Sequence, residues 1–293
     1  MSTASTFRFA PTPNGALHLG HAYSALMNAR LAVAAGGRLL LRIEDLDRTR
    51  CKPEYESPIR DDLAWLGLTF VDAPRRQSEH GDDYARALQA LRGRGLVYPC
   101  FCSRGVVAAA TSRRDPDGAP LYPGTCRALE PRDVAKRLAA GESAAWRLDS
   151  ARARSAAPAE LTWREFGEGA TETRCVAEPA AWGDFVLRGR DAVASYHLAV
   201  VVDDALQGVT DVVRGRDLLA ATSAHRLLQT LFDLPAPRYR HHRLVLDASG
   251  VKMSKSAAST PLAALRAEGV TAAEVRIAFG FAPGASRFVA RLS

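Results

Sequence analysis

Two histidines and two lysines have the types and spacing to handle a polyphosphate. His18 and His21 stand three apart in Leu17-His18-Leu19-Gly20-His21, and Lys252 and Lys255 frame Lys252-Met253-Ser254-Lys255-Ser256. Imidazoles three apart share one helix face, and at a helix start they add donors to the orphan N–H groups and positive dipole end that attract a phosphate. Such a pair can hydrogen-bond an oxyanion without bringing a metal. The lysines are informative because the chain has so few. Lys52, Lys136, Lys252 and Lys255 are the four among 39 basic residues, so arginine is the default cation. A compact, flexible ammonium is wanted in that segment, and at a phosphate the two cations are not interchangeable. Gly250, Ser254, Ser256 and Ser259 suit a loop that can close over a bound phosphate chain.

The elements that must position these groups read as an α/β chain. Phe7-Arg8-Phe9-Ala10 has strand character, Pro11-Thr12-Pro13-Asn14-Gly15 is a turn, and a helix is expected from near Ala16. Arg38 to Ile43 reads as a second buried strand ending in the acidic turn Glu44-Asp45-Leu46-Asp47. Helices are expected over 54–66, 84–91 and 223–232. Asp184 to Arg188 and Tyr196 to Asp204 read as strands of a returning parallel sheet, and Leu244 to Leu246 leads into the lysine loop. The expected organisation is 1–96 as the first half of a nucleotide-binding domain, 97–180 as an insertion, 181–250 as the second half, and 251–293 as the loop plus short helices.

The insertion holds Cys100-Phe101-Cys102 and Cys126, three soft ligands for one structural zinc per chain. No histidine lies between His80 and His197, so the fourth position falls to an oxygen or to a distant residue. Tyr122 is the best placed, with Asp115, Asp117 or a water as alternatives. Cys51 and Cys175 read as structural, and an odd total of five cysteines argues against a disulfide framework.

At 293 residues the chain has material for one large or two modest domains, and 47% hydrophobic with 24% charged residues is ordinary for a globular protein. No apolar run reaches membrane-span length and Met1 to Thr6 lacks signal-peptide character, so a cytoplasmic protein with no membrane partner is expected; a monomer is the expected state. A formal net charge of +7 favours a polyanionic partner.

With these residues in view, the chain resembles the class I aminoacyl-tRNA synthetases, whose two signature motifs match His18 to His21 and Lys252 to Ser256. Arg8 to Gly15, Arg42 to Asp47, Val202-Asp203-Asp204 and Val213 to Leu219 resemble segments of the glutamyl-tRNA synthetase catalytic domain. Only 37 residues follow Ser256, too few for that family's anticodon-binding region. A short core with Cys-x-Cys and Tyr-x-x-x-Cys is similar to the glutamyl-queuosine tRNA(Asp) synthetases. The resemblance implies a Rossmann-type parallel sheet with a zinc-bearing insertion. It also implies ATP with Mg²⁺, L-glutamate, and queuosine-bearing tRNA(Asp) as the acceptor. His18, His21 and Lys255 would be catalytic, with Lys252, Met253, Ser254 and Ser256 joining them at ATP. Arg8, Phe9, Ala10, Pro11, Thr12, Glu44, Tyr196 and Arg214 would line the glutamate pocket, the arginines taking its carboxylates and Glu44 its ammonium. Cys100, Cys102, Tyr122 and Cys126 would hold zinc. A short glutamyl-tRNA synthetase charging a 3′ end, a related nucleotidyltransferase and a non-catalytic RNA-binding module are the rival expectations.

Overall fold

The computed structural model describes residues 4–167, 171–247, 250, 253, 259–284 and 291–293. The chain divides into two compact units, Met1–Glu79 with Gly208–Leu218 and Pro237–Ser293, and His80–Gln207 with Leu219–Ala236. Among the described residues no helix is long and apolar enough to cross a membrane.

The first unit begins with β1 (Thr6–Phe9), α1 (Leu19–Ala34), β2 (Arg38–Ile43), α2 (Glu56–Trp65) and β3 (Arg75–Arg76). The chain then builds the second unit with α3 (Gly81–Gly93), β4 (Val97–Cys100), α4 (Arg104–Ala109), α5 (Pro131–Ala139), β5 (Ala145–Leu148) and α6 (Ser150–Ser155). The hairpin β6 (Thr162–Phe166) and β7 (Glu172–Val176), then β8 (Val186–Arg188) and α7 (Tyr196–Leu206), continue it. After β9 (Asp211–Gly215) of the first unit comes α8 (Ala221–Leu231) of the second. The first unit then closes with β10 (Arg238–His242), β11 (Val245–Leu246), α9 (Leu262–Ala267), α10 (Ala272–Ala278) and β12 (Arg291–Leu292).

Strands β3, β2, β1, β9 and β10 of the first unit lie side by side in that order, all parallel. Parallel strands flanked by helices present their carboxyl ends as the natural place for a ligand. The second unit carries the antiparallel sheet β4-β5-β8.

Three expectations change here. The first helix starts at Leu19 rather than near Ala16, because His18 forms an isolated bridge with Pro261 and Leu17 O accepts from Leu262 N–H at 2.8 Å, holding residues 17–18 extended. Tyr196 to Asp204 is not a strand but the body of α7, started by Ser195, whose Oγ accepts from Leu198 N–H. Residues 198–204 are all buried, so this helix shows no polar face, and Val200-Val201-Val202 imitates a strand. Within it Asp203 accepts from the Tyr84 hydroxyl at 2.9 and 3.1 Å, tying α7 to α3. Asp184 to Arg188 does yield a strand, β8, but it pairs antiparallel with β5 rather than joining the parallel sheet.

Asp62 on α2 is 1% exposed and stands 3.8 Å from Arg266 of α9. Burial pushes its carboxyl up to about 6, against the pull of Arg266. The folded chain therefore keeps a proton that the unfolded chain has lost, and this group stabilises the fold as pH falls from about 6 towards 4. Asp62→Asn should be more stable than the parent at pH 7.5 by about 1–2 kcal/mol. Denaturant unfolding at pH 7.5 and 4.5 should show that gap shrinking at the lower pH, and a gap independent of pH would contradict the assignment.

Candidate active site

The start of α1 is built by its own two histidines. His18 is the N-cap with an extended backbone, and its Nδ1 accepts from Gly20 N–H at 3.1 Å. His21 reaches back from the third helical position, its Nδ1 accepting from His18 N–H at 3.2 Å. This is a capping box made of imidazoles, with ring centroids 3.9 Å apart. Both Nδ1 atoms act as acceptors, so each neutral ring carries its proton on Nε2. The pair thus has two Nε2–H donors at the positive end of a 16-residue helix. A Cβ on Gly20 would sit 2.9 Å from the His18 ring, which explains the glycine between them. Gly20→Ala should displace the His18 ring and cost about 1 kcal/mol of capping energy. The unfolding midpoint of the variant should drop accordingly, and an unchanged midpoint would contradict this geometry.

The second motif lies mostly outside the described residues, which include Met253 but not Lys252, Ser254, Lys255 or Ser256. The chain on either side of it is anchored in the first unit. Met253 N–H donates to Val245 O of β11 at 3.0 Å, and Pro261 bridges to His18 itself. Pro261 is thereby tied to the N-cap of α1.

The first-unit sheet gathers cations on one face. Arg8 is level with Leu40 in register, Phe7 is level with Asp211, and Arg214 is level with His241. Continuing those registers puts Arg42, Ala10, Arg214 and His241 in one row across β2, the end of β1, β9 and β10. Arg8 and Tyr239 stand one row below on the same face, because side chains alternate along a strand and match between level parallel neighbours. This is the face opposite α1, whose Tyr23 meets His242 of the other face edge-on at 5.0 Å. Arg8, Arg42 and Arg214 are 4%, 0% and 5% exposed. By this register Ala10 falls between the positions of Arg42 and Arg214 and adds only a methyl to the face. Buried guanidinium charge is costly unless it is paired.

The remaining expected pocket residues divide. Pro11 O accepts from Glu44 N–H at 3.1 Å and Pro13 O from Lys52 N–H at 3.0 Å, so the proline turn and the acidic turn are laced together. Glu44 comes within 4.0 Å of Arg42. Thr12 sits in the same turn, its carbonyl accepting from Asn14 N–H. Phe9 is buried but alternates onto the α1 face, away from Arg8 and Ala10. Tyr196 belongs to the second unit, as the first residue of α7. Arg42 and His241 were not among the expected site residues.

In the second unit the three expected cysteines come together. The Cys100, Cys102 and Cys126 sulfurs lie within 4.8 Å of one another, Cys102 and Cys126 at 3.5 Å. The Tyr122 hydroxyl is 3.6 Å from the Cys102 sulfur and accepts from Cys126 N–H at 2.8 Å. Gly124, at φ 89°, makes the left-handed turn that brings Cys126 back under Tyr122. Burial raises the Cys102 thiol and the Tyr122 phenol. Burial acts the same way on Cys126, but donation from Tyr122, Phe101 N–H, Cys102 and Cys100 outweighs it and lowers that thiol. Three sulfurs and one oxygen at these separations suit a tetrahedral metal with metal–sulfur bonds of about 2.3 Å.

Comparison with known proteins agrees with this layout. Residues 5–276 match the family described as the catalytic domain of class I tRNA synthetases (E and Q). The chain is 44% identical to a glutamyl-Q tRNA(Asp) synthetase of Rhodobacter capsulatus, over 93% of this chain and 99% of that protein. It is 39% identical to glutamate–tRNA ligase 1 of Halorhodospira halophila, over 89% of this chain but 55% of that protein. Among solved structures, a glutamate tRNA ligase of Elizabethkingia meningosepticum in complex with its amino acid superposes with a TM-score of 0.75 at 25% identity, covering 94% of this chain and 60% of that one. A parallel sheet with a histidine-capped helix at its carboxyl edge, and a match over nearly the whole chain, place this protein in the class I tRNA synthetase (E and Q) family, as an aminoacyl-tRNA-synthetase-like ligase.

Proposed function

We propose that the protein activates L-glutamate with ATP and transfers the glutamyl group to the queuosine base at the wobble position of tRNA(Asp). The observation that carries the first half is the sheet face on which Arg8, Arg42 and Arg214 are buried around Ala10, beside the acidic turn that holds Glu44. An amino acid with two carboxylates needs guanidinium forks, and its ammonium needs a carboxylate. The α-carboxylate oxygen attacks the α-phosphorus of ATP, the bond to the bridging oxygen breaks, and pyrophosphate leaves. His18 and His21 donate from Nε2 to the phosphates as charge builds, with Lys255 as the cation of the second motif. Mg²⁺ bound with ATP would supply charge neutralisation at the phosphates. In the second half a hydroxyl of the queuosine ring takes the glutamyl group and AMP leaves. The reading of the acceptor is supported by relatives named glutamyl-Q tRNA(Asp) synthetase that match over 82–99% of their own length. A shortened glutamyl-tRNA synthetase charging a 3′ end is the second reading, favoured by the 39% identity to a glutamate–tRNA ligase.

ATP–pyrophosphate exchange in the presence of tRNA tests the activation half. Exchange should depend on glutamate and not on glutamine or aspartate, and Lys255→Ala should abolish most of it. Exchange driven by glutamine would overturn the reading.

Zinc is the metal proposed for Cys100, Cys102 and Cys126, with Tyr122 as the fourth ligand. Its role is structural, since the four groups draw β4 and the turn before α5 into one small core. Chelation at neutral pH should lower the unfolding midpoint of the second unit while zinc restores it. A midpoint unmoved by exhaustive chelation would contradict a structural metal.

A further inference from the structure

We propose that His241 is a positioning residue that orients the Arg214 guanidinium for a substrate carboxylate, an inference that rests on Arg214 being a glutamate ligand. The Arg214 Nε donates to His241 Nε2 at 3.2 Å, and both side chains are buried. The two residues are level on β9 and β10, so the contact follows from strand register rather than from a chance side-chain reach. Tyr239, 1% exposed and two residues earlier on β10, completes the support. Its ring is parallel to that of His241 within 3°, with centroids 5.9 Å apart, and the Arg214 guanidinium carbon lies 5.4 Å from its centroid.

A guanidinium held through Nε has its plane fixed, and the paired Nη edge is the part suited to a carboxylate fork. The chemical nature of the partner matters. His241 accepts at Nε2, so in this contact it is the neutral imidazole with its proton on Nδ1. A neutral acceptor orients the guanidinium without cancelling its charge, whereas a carboxylate in the same place would compete with the substrate. Fixing a long side chain beforehand also lowers the rotamer entropy lost on binding. His241 itself does not touch substrate in this scheme.

The test is glutamate KM, ATP KM and kcat in pyrophosphate exchange for His241→Ala, His241→Gln, Arg214→Gln and the double variant H241A/R214Q. His241→Ala should raise glutamate KM roughly 10- to 100-fold, the loss of one to two charge-assisted contacts, with ATP KM unchanged. His241→Gln keeps an acceptor and should recover most of the affinity, and the double variant should be no worse than Arg214→Gln. If Arg214→Gln raises glutamate KM while His241→Ala does not, the positioning role falls and the glutamate reading stands. Equal damage to ATP and glutamate KM in both His241 variants would make His241 merely structural and would overturn the proposal. If Arg214→Gln leaves glutamate KM unchanged, the assignment of Arg214 as a glutamate ligand falls, and the proposal with it.

Discussion

Arg8→Met should raise the glutamate KM in pyrophosphate exchange by about two to three orders of magnitude while ATP KM moves little. Removing one partner of a buried, hydrogen-bonded charge pair costs about 2–5 kcal/mol, and each 1.4 kcal/mol is tenfold. Arg8 stands on the same sheet face as Arg214, one row from Ala10, and is 4% exposed. Methionine nearly conserves the volume, which limits the packing cost of the change. The expected signature is a binding defect in a folded protein, so the melting temperature should stay within a few degrees of the parent. A glutamate KM within threefold of the parent would remove Arg8 from the site.

The second large effect lies in the second unit. Asp184 is 3% exposed and its carboxylate accepts from the Tyr98 hydroxyl at 2.5 Å, from Arg127 at 2.9 and 3.2 Å, and from Ser150 through both N–H at 3.0 Å and Oγ at 2.7 Å. One side chain thus joins β4, the turn that carries Cys126, and the start of α6. Burial, and donation to Asp184, raise the Tyr98 phenol. Asp184→Ala would leave a phenol, a guanidinium and a serine without their shared acceptor. Breaking a buried, paired charge in this way costs about 3–5 kcal/mol. At roughly 2–4 °C per kcal/mol for a unit of this size, the unfolding midpoint should drop by about 10 °C. A midpoint lowered by less than 2 °C would show that the five contacts are not a structural hub.

Much of the region from β1 to β2 was legible in the sequence because its signals are local. The proline turn, the HxGH spacing and the Arg38 to Ile43 strand each need only neighbouring residues, and β2 has those bounds. The exact helix start was not legible, since Pro261 fixes it from more than 240 positions away. The same holds for β10. Arg238-Tyr239-Arg240-His241-His242 carried no strand expectation, yet it pairs with β9 along all five residues. Of its buried histidines, His241 lies on the face of the buried arginines and His242 on the α1 face, so its composition does not follow hydrophobic preference. Arg42 was hidden for a related reason. In a chain whose cations are nearly all arginine, a fully buried guanidinium looks like any other until strand register gives it neighbours. The cysteine cluster was readable from spacing, but the Tyr122 geometry depends on the left-handed turn at Gly124.

The most direct measurement is the location of labelled glutamate after incubation with ATP and two tRNA pools, one containing queuosine and one lacking it. Label held on the queuosine of tRNA(Asp), and absent from the queuosine-free pool, is the predicted result. Label on the 3′ terminal adenosine, present equally in both pools, would contradict it.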